Sequence, residues 1–554
     1  MSIPSEGMKV VHAVCSHDCP DSCGILVTVD QATGRAVKMQ GDPSHPVTRG
    51  FLCGKVTKYL DRVYSPDRLL YPMRRKAGVP KGPAGYGAVA GREAEAFERI
   101  TWDEALDEIA ARLGKIAAEF GPESVLPYSY AGTIGQLGYG SMDRRFFNRL
   151  GASQLDRTIC STAGEAAMAS VYGLKLGTPP EDFVQAGLIL VWGGNVHGNN
   201  VHLWPFIEEA RRKGARLVVI DPYRTRTAAL ADEHLAIHPG TDAALVLGMM
   251  HVILREGLED AEYIARCTVG FEELKAEALR EQNSPEAAAR ATGIAAETIV
   301  RLAREYAKAG RDGRGPAAIR LNYGIQRSEF GGNSARAVCM LPLLTGAWRY
   351  KGGGYQLSTS GAFGFNSDAL RMPELAKSSP LGRLGRVVNM IQLGQVLTTL
   401  GSDPGDGPPV KALFVYNSNP AAVAPNQNDV LRGMLRDDLY TVVHEQFFTD
   451  TADYADVLLP AATFLETKDV QGAYGHLFAQ LSERAIEPLG EARNNVALFG
   501  ALAQRMGFTE ACFRDDEDAL IDQALDTDHP WFAGITRERL EQEGHVQVSL
   551  PTDA

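Results

Sequence analysis

Three cysteines, Cys15, Cys19 and Cys23, fall in the run C-S-H-D-C-P-D-S-C-G, and Cys53 follows in P-V-T-R-G-F-L-C-G-K. Thiols on so short a run of chain must address one small object. A tight group of thiolates completed by one distant cysteine suits an iron–sulfur cluster. Four-cysteine zinc sites are the main alternative, although zinc ribbons usually divide their ligands two and two. Pairing of the eight cysteines as disulfides is a third reading. Met1 to Val14 carry neither a charged-then-apolar leader nor twin arginines, which favours a cytoplasmic, reducing setting where disulfides are rare.

A second set of informative residues occurs twice. Val191-Trp192-Gly193-Gly194-Asn195 ends a strand begun at Leu188, and Val415-Tyr416-Asn417-Ser418-Asn419 ends another begun at Ala412. One constant offset of 224 residues (415 − 191) pairs Asn195 with Asn419, Asp221 with Glu445, Thr225 with Thr449, Thr227 with Thr451 and Asp232 with Asp456. A strand ending in Gly or Asn before a helix leaves backbone N–H groups free for phosphate. An acidic residue closing the next strand can accept hydrogen bonds from a ribose or base. No G-x-G-x-x-G run accompanies either copy, so a nicotinamide site is not the natural reading. One copy alone could be ordinary parallel-sheet scaffold; two related copies favour two nucleotide-like ligand halves. Gly240 and Asp242, in His238-Pro239-Gly240-Thr241-Asp242, form either a plain loop or a place where backbone approaches a purine and a carboxylate reads its N–H groups.

The elements that position these residues follow from pattern. Thr101-Trp102-Asp103-Glu104 is a capping box opening a helix with apolar Leu106, Ile109, Leu113, Ile116 and Phe120 at helical spacing. Thereafter short apolar strands alternate with helices, the order of an α/β architecture. Ser65 to Pro72 reads as a turn-rich exit from the first small domain, and Gly78 to Gly91 as an exposed loop. At 554 residues the chain needs several domains. Its net charge of −12 excludes general nucleic-acid binding. Leu245 to Leu254, the most apolar run, is broken by Gly248 and His251 and is too short for a membrane span.

Taken together, these features resemble the molybdopterin oxidoreductases of the dimethyl-sulfoxide-reductase type. The resemblance runs through the cysteine group closing in G-F-L-C-G-K, Y-S-P-D-R-L-L-Y-P-M-R-R, T-W-D-E-A-L, V-I-D-P-Y-R-T-R-T-A, H-P-G-T-D-A-A-L, N-S-N-P and H-E-Q-F-F-T-D-T-A-D-Y-A-D-V-L-L-P-A, nearly the whole chain. It implies a multidomain α/β fold with a small N-terminal iron–sulfur domain and two related dinucleotide-binding lobes in a pseudo-twofold relation. The expected divisions are 1–63 for the cluster domain, 156–319 for one lobe (unit 188–242), and 64–155 with 320–480 for the other (unit 412–460). Residues 481–554 then form a C-terminal segment returning to the core, without the family's C-terminal cap domain.

The implied cofactors are a 4Fe-4S cluster on Cys15, Cys19, Cys23 and Cys53, and molybdenum or tungsten on two molybdopterin guanine dinucleotides. The dinucleotides would use Gly194, Asn195, Asp221, Thr225, Gly240 and Asp242 in one lobe, and Asn417, Asn419, Glu445, Thr449 and Asp456 in the other. Cys160 falls at the metal-ligand position, with Ser161 the alternative, and Lys55 fits a basic residue between cluster and pterin. Formate-oxidising members place histidine where this chain has Ser161, which counts against formate. The implied function is two-electron oxidation or reduction of a small molecule, with electrons leaving through the cluster to a flavin or iron–sulfur partner. The alternative is a non-catalytic iron–sulfur relay or scaffold subunit. His197, Glu165 and Arg327 lie near the implied cofactor loops, while Cys267, Cys339 and Cys512 read as core.

Overall fold

The computed structural model of the chain describes residues 6–82, 93–399 and 407–551. The loop expected over 78–91 lies outside the described residues from position 83 onward.

Near the N-terminus, β1 (Met8–Val14), β2 (Gly24–Asp30) and β3 (Arg35–Gly41) form an antiparallel sheet. Short strands β4 (Met73–Arg75) and β5 (Phe97–Arg99) lead to the capping-box helix, Trp102–Phe120. There the Thr101 side chain accepts from the Glu104 N–H and the Glu104 carboxylate accepts from the Thr101 N–H, as the motif requires. The strands that follow are β6 (Val125–Ser129), β7 (Gln154–Asp156), β8 (Leu188–Trp192), β9 (Arg216–Ile220), β10 (Glu233–Leu235), β11 (Ala317–Leu321) and β12 (Gly354–Gln356). After them come β13 (Val387–Asn389), β14 (Ala412–Tyr416), β15 (Tyr440–Glu445), β16 (Val457–Pro460), β17 (Asp469–Gln471), β18 (Phe478–Ser482) and β19 (His545–Gln547).

Two sheets dominate. One runs β10-β9-β8-β11-β12 with every pairing parallel. The other runs β5-β4-β16-β15-β14-β6, parallel from β16 to β6 and edged by the antiparallel β4 and β5. Every residue of β8, β11 and β14 is buried, because helices cover both faces and an uninterrupted apolar strand fits only there. In each sheet the chain leaves the central strand (β8 or β14) toward β9 or β15, while β11 or β6 lies on its other side. Strand order therefore reverses at β8/β11 and at β14/β6, and open α/β sheets bind ligands in the crevice at such a point.

One expected boundary is corrected. A division at residue 319 cuts through β11, which pairs along its whole length with β8, so 317–321 and 354–356 belong to the first lobe. The signal was missed because β11 lies far in sequence from the repeat that marked the lobe. The helix Asn495–Arg505 of the C-terminal segment packs Phe499 against Phe146, Phe147 and Phe414 in the second lobe. No helix among the described residues is long and apolar enough to cross a membrane.

The frame also buries neutral histidines. Burial lowers His444 to about 4. His476 is likewise brought to about 4; its Nε2 donates to the Asp21 carbonyl, and its Nδ1 accepts from the Phe478 N–H. Both pKa values lie below the 6.5 of a free imidazole, so the unfolded chain takes up protons first as pH falls. Their contribution to stability is intact above pH 7, declines as pH falls through 6.5 and continues to decline toward 4. Unfolding followed by circular dichroism should show a loss of about 2 kcal/mol per histidine between pH 7 and 5. Equal stability at the two pH values would contradict this assignment.

Candidate functional site

The three early cysteines lie on the β1–β2 connection, where the Cys15 N–H donates to the Cys23 carbonyl at 2.9 Å. Cys53 follows β3 in a turn in which the N–H groups of Val56 and Thr57 donate to its carbonyl. Burial pushes the Cys15 thiol up to about 12 and raises Cys19 and Cys23 well above a free thiol, with charge on the other cysteines adding to each shift. Three such thiols would ionise together only around cationic metal, which reverses that cost. Among the described residues no three His, Cys, Asp or Glu side chains are grouped to hold a single metal ion. Three thiols on one loop with a fourth on the next fit the tight-group-plus-one pattern of an iron–sulfur cluster.

The first lobe closes over this loop. His202 stacks on Phe51 with ring centres 4.1 Å apart, its Nδ1 lies 2.9 Å from Asp21 Oδ2, and Asn200 Nδ2 donates to Asp21 Oδ1. Lys55 is exposed; burial first, then the charges of Arg62 and Lys55, lower His17 to about 4.

The two copies of the repeat fold alike down to single bonds. Gly193 and Asn417 both adopt positive φ, +60° and +53°, so the chain turns sharply at each strand end. Next, Asn195 Oδ1 accepts from the N–H and hydroxyl of Thr227 at 3.4 and 3.0 Å. Asn419 Oδ1 accepts from the N–H and hydroxyl of Thr451 at 3.1 and 2.6 Å. Each threonine hydroxyl in turn accepts from a backbone N–H, that of His197 at 3.0 Å or Ala421 at 3.1 Å. At each switch point the neighbouring loop comes close: the Gly324 N–H donates to the Gly193 carbonyl and the Gly132 N–H to the Asn417 carbonyl. A Cβ would lie 2.4 Å from that carbonyl oxygen at Gly324 and 2.6 Å from it at Gly132, so a side chain would clash with backbone. Gly194 is similarly tight against Asn322.

Asp221 and Glu445 close β9 and β15 beside these loops, and burial raises both above ordinary carboxylates. A cavity of about 290 Å³ joins the cluster domain to the second copy. Its wall includes His17, Arg62, Asn417, Asn419, Glu445 and Arg493. Around the loops several buried polar atoms lack any partner, among them His197 Nδ1, Ser328 Oγ, Thr449 Oγ1 and Asp453 Oδ1. Such orphans are expensive in an interior, so these positions fit a polar ligand.

Cys160 stands just before the helix Thr162–Tyr172. Its carbonyl accepts from Gln326 Nε2 and from Arg327 Nη2 at 2.8 Å, and Arg327 Nη1 donates to the Ile159 carbonyl. Burial and the nearby Asp18 raise the Cys160 thiol, against opposing contributions from Arg327 and the Tyr130 hydroxyl. Ser161 is turned elsewhere: its hydroxyl donates to Glu165 Oε1 at 2.8 Å, and Lys175 donates to Glu165 Oε2 at 2.9 Å.

Several expected residues have other roles. Asp456 Oδ2 accepts from the Thr441 N–H at 2.7 Å and pairs with Lys81, at the start of β15 and thus the end of the sheet remote from Glu445. Its counterpart Asp232 braces Leu217 in the same way, so this matched pair is scaffold. Thr225 is buried and caps the helix Arg226–Leu230. Asp242 accepts from the buried Trp192 indole at 2.7 Å, while Gly240 takes the positive φ of +81°. Cys339 lies in the core of the first lobe and Cys512 packs half-buried against that of the second, but Cys267 is exposed, contrary to expectation. Tyr130, Gln326, His202 and Asn200 lie outside the quoted motifs, although Asn200 and His202 follow Asn195 closely and Gln326 adjoins Arg327.

The Molybdopterin oxidoreductase family model matches residues 68–505, and the Molybdopterin oxidoreductase Fe4S4 domain model matches residues 8–65. The chain is 42% identical over 548 residues to a probable oxidoreductase, YoaE, of Bacillus subtilis (strain 168), covering 99% of this chain and 76% of that one. It is 30% identical over 562 residues to dimethyl sulfoxide reductase DmsA of Escherichia coli (strain K12), covering 91% and 65%. The solved acetylene hydratase from Pelobacter acetylenicus matches with a TM-score of 0.78 at 27% identity, over 98% of this chain and 74% of that one.

The Asn–Thr locks can be tested singly. Asn195→Ala or Asn419→Ala leaves a buried N–H and hydroxyl without their acceptor, and should cost about 1–3 kcal/mol in denaturant unfolding. A variant as stable as wild type would show that the lock does not hold its loop.

Proposed function

Since the chain belongs to the molybdopterin oxidoreductases and carries their Fe4S4 domain, we propose that it transforms a small molecule at a metal held by Cys160 between two dinucleotide units. The observation that supports this reading most is the duplicated Asn–Thr loop, present at both switch points with the same bonds. When bound, the molybdenum–pterin group supplies the two-electron redox chemistry, and the protein orients and tunes it. Gly194, Asn195, Asp221, Gly240 and Asp242 would hold one guanine dinucleotide, and Asn417, Asn419, Glu445 and Thr449 the other.

Cys160 is the metal ligand in this reading. Its thiol faces the Tyr130 hydroxyl and the Arg327 guanidinium, whereas the Ser161 hydroxyl is held by Glu165. A soft thiolate suits a metal already bound by sulfur. Arg327 and Gln326 grip the Cys160 carbonyl and so position the residue that carries the thiol. Lys55 stands beside Cys15 and His17, where a cation offsets negative charge near the cluster. Cys15, Cys19, Cys23 and Cys53 hold the cluster, from which electrons pass to a partner protein carrying flavin or iron–sulfur groups. The intact Cys160 loop and both dinucleotide units favour this over a relay or scaffold subunit.

Cys160→Ala and Ser161→Ala separate the two ligand assignments. In anaerobically prepared protein, Cys160→Ala should change the molybdenum or tungsten electron-paramagnetic-resonance signal and leave four-iron content unchanged. Ser161→Ala should preserve the signal. An unaltered signal in Cys160→Ala would contradict the assignment.

A further inference from the structure

Arg157 opens the loop that carries Cys160 and is firmly placed. Its Nε donates to the Ser129 carbonyl at 3.0 Å, Nη1 to the Tyr139 carbonyl at 2.9 Å and Nη2 to Ser129 Oγ at 2.6 Å, while the guanidinium lies over the Tyr139 ring. Two more arginines meet it around Tyr139 and Gly140. A Cβ on Gly140 would lie 3.7 Å from both Arg144 Cγ and Arg371 Nε, and 3.9 Å from Arg144 Nε, so both side chains flank that glycine. Unlike that of Arg157, the side chains of Arg144 and Arg371 make no hydrogen bond or ion pair with any described residue; the Arg371 carbonyl accepts from Asn148 Nδ2.

The local charge is not balanced from within. Asp143 is the neighbouring carboxylate, and it is buried and spent: it accepts from the Ser141 N–H at 2.8 Å and from the Tyr416 hydroxyl at 2.6 Å. Burial first, then the charges of Arg157 and Arg371, weaken the hold of Arg144 on its proton, against Tyr416 and Asp143. The backbone that delivers Arg371 ends in a left-handed residue, Met372 at φ +43°, a conformation that side chains resist and that persists only where the surroundings impose it. Arg144 and Arg157 are half-buried and Arg371 is exposed beside them; like charges held together without a counter-ion among the described residues suit an incoming anion, and guanidinium forks match oxyanions in shape. Tyr139 links the cluster to the metal ligand, because its ring centre lies 6.5 Å from that of Tyr130, whose hydroxyl faces Cys160.

We propose that Arg144, Arg157 and Arg371 bind a small oxyanion, a carboxylate or an inorganic oxyanion, and bring it as substrate to the Cys160 site. This rests on the function proposed above. The same chemistry would also suit the phosphates of a dinucleotide, and the test must part the two.

Anaerobic holoenzyme, wild type and the variants Arg144→Gln and Arg371→Gln, is titrated calorimetrically with nitrate, acetate and the neutral probe dimethyl sulfoxide. Iron, molybdenum or tungsten, and guanine nucleotide released by acid are measured on the same samples. The expected result is that wild type binds nitrate or acetate, that added salt weakens this binding, and that each variant loses at least tenfold affinity. Metal and nucleotide contents should stay unchanged. Arg144→Lys keeps stem and charge but loses the fork; it replaces Arg144→Gln if that variant does not fold, and should weaken binding several-fold. Equal anion binding in all forms, or none in wild type that carries its metal, would overturn the proposal. Loss of nucleotide from the variants would overturn it in favour of a cofactor-phosphate role. Wild type lacking molybdenum and tungsten would instead contradict the function on which the proposal rests.

Discussion

Two carboxamide oxygens, on Asn195 and Asn419, each accept a threonine hydroxyl and the N–H of the same threonine, and the binding crevices depend on these bonds. The loops they hold must leave β8 and β14 sharply, which the positive φ values of Gly193 and Asn417 allow. They must also pass close to the loops at Gly324 and Gly132, where a Cβ would strike backbone. Without the asparagine anchor, buried N–H groups would lose partners and the strand ends would lose a defined course. Because the device is used twice with the same atoms, one physical solution serves two sites at two switch points.

The cluster domain depends on the first lobe in a comparable way. Asp21, in the cysteine run, is held by Asn200 and His202, and Arg320 Nε donates to Asn200 Oδ1 at 2.9 Å. Arg320 is wholly buried with Nη2 unpartnered, a costly arrangement that persists inside a network spanning β11 and the cysteine loop. The cysteine loop and the crevice of the first lobe are thus fixed relative to each other by polar contacts, which is what electron exchange over a set distance requires.

Much of this was legible in the chain itself. The cysteine spacing, the capping box at Thr101 and the offset repeat depend on local pattern, and the repeat led to both asparagines and both acidic strand ends. Asp456 was misjudged because sequence identity between copies marks scaffold as readily as site: a carboxylate bracing the start of β15 recurs just as one closing its end does. The reach of the first lobe was misjudged because β11 joins β8 by long-range pairing, which no window of sequence reports. Lone cysteines are usually core, but Cys267 is exposed because it ends a surface helix, Ala261–Cys267. Tyr130, Gln326 and His202 reach the site only through folding and lie outside the motifs.

The central claim is that the two matched units each hold a guanine dinucleotide. Acid release and quantification of guanine nucleotide from anaerobically purified protein, normalised to molybdenum plus tungsten, tests it most directly. Two nucleotides per metal are expected. One nucleotide per metal, or metal without nucleotide, would contradict the account.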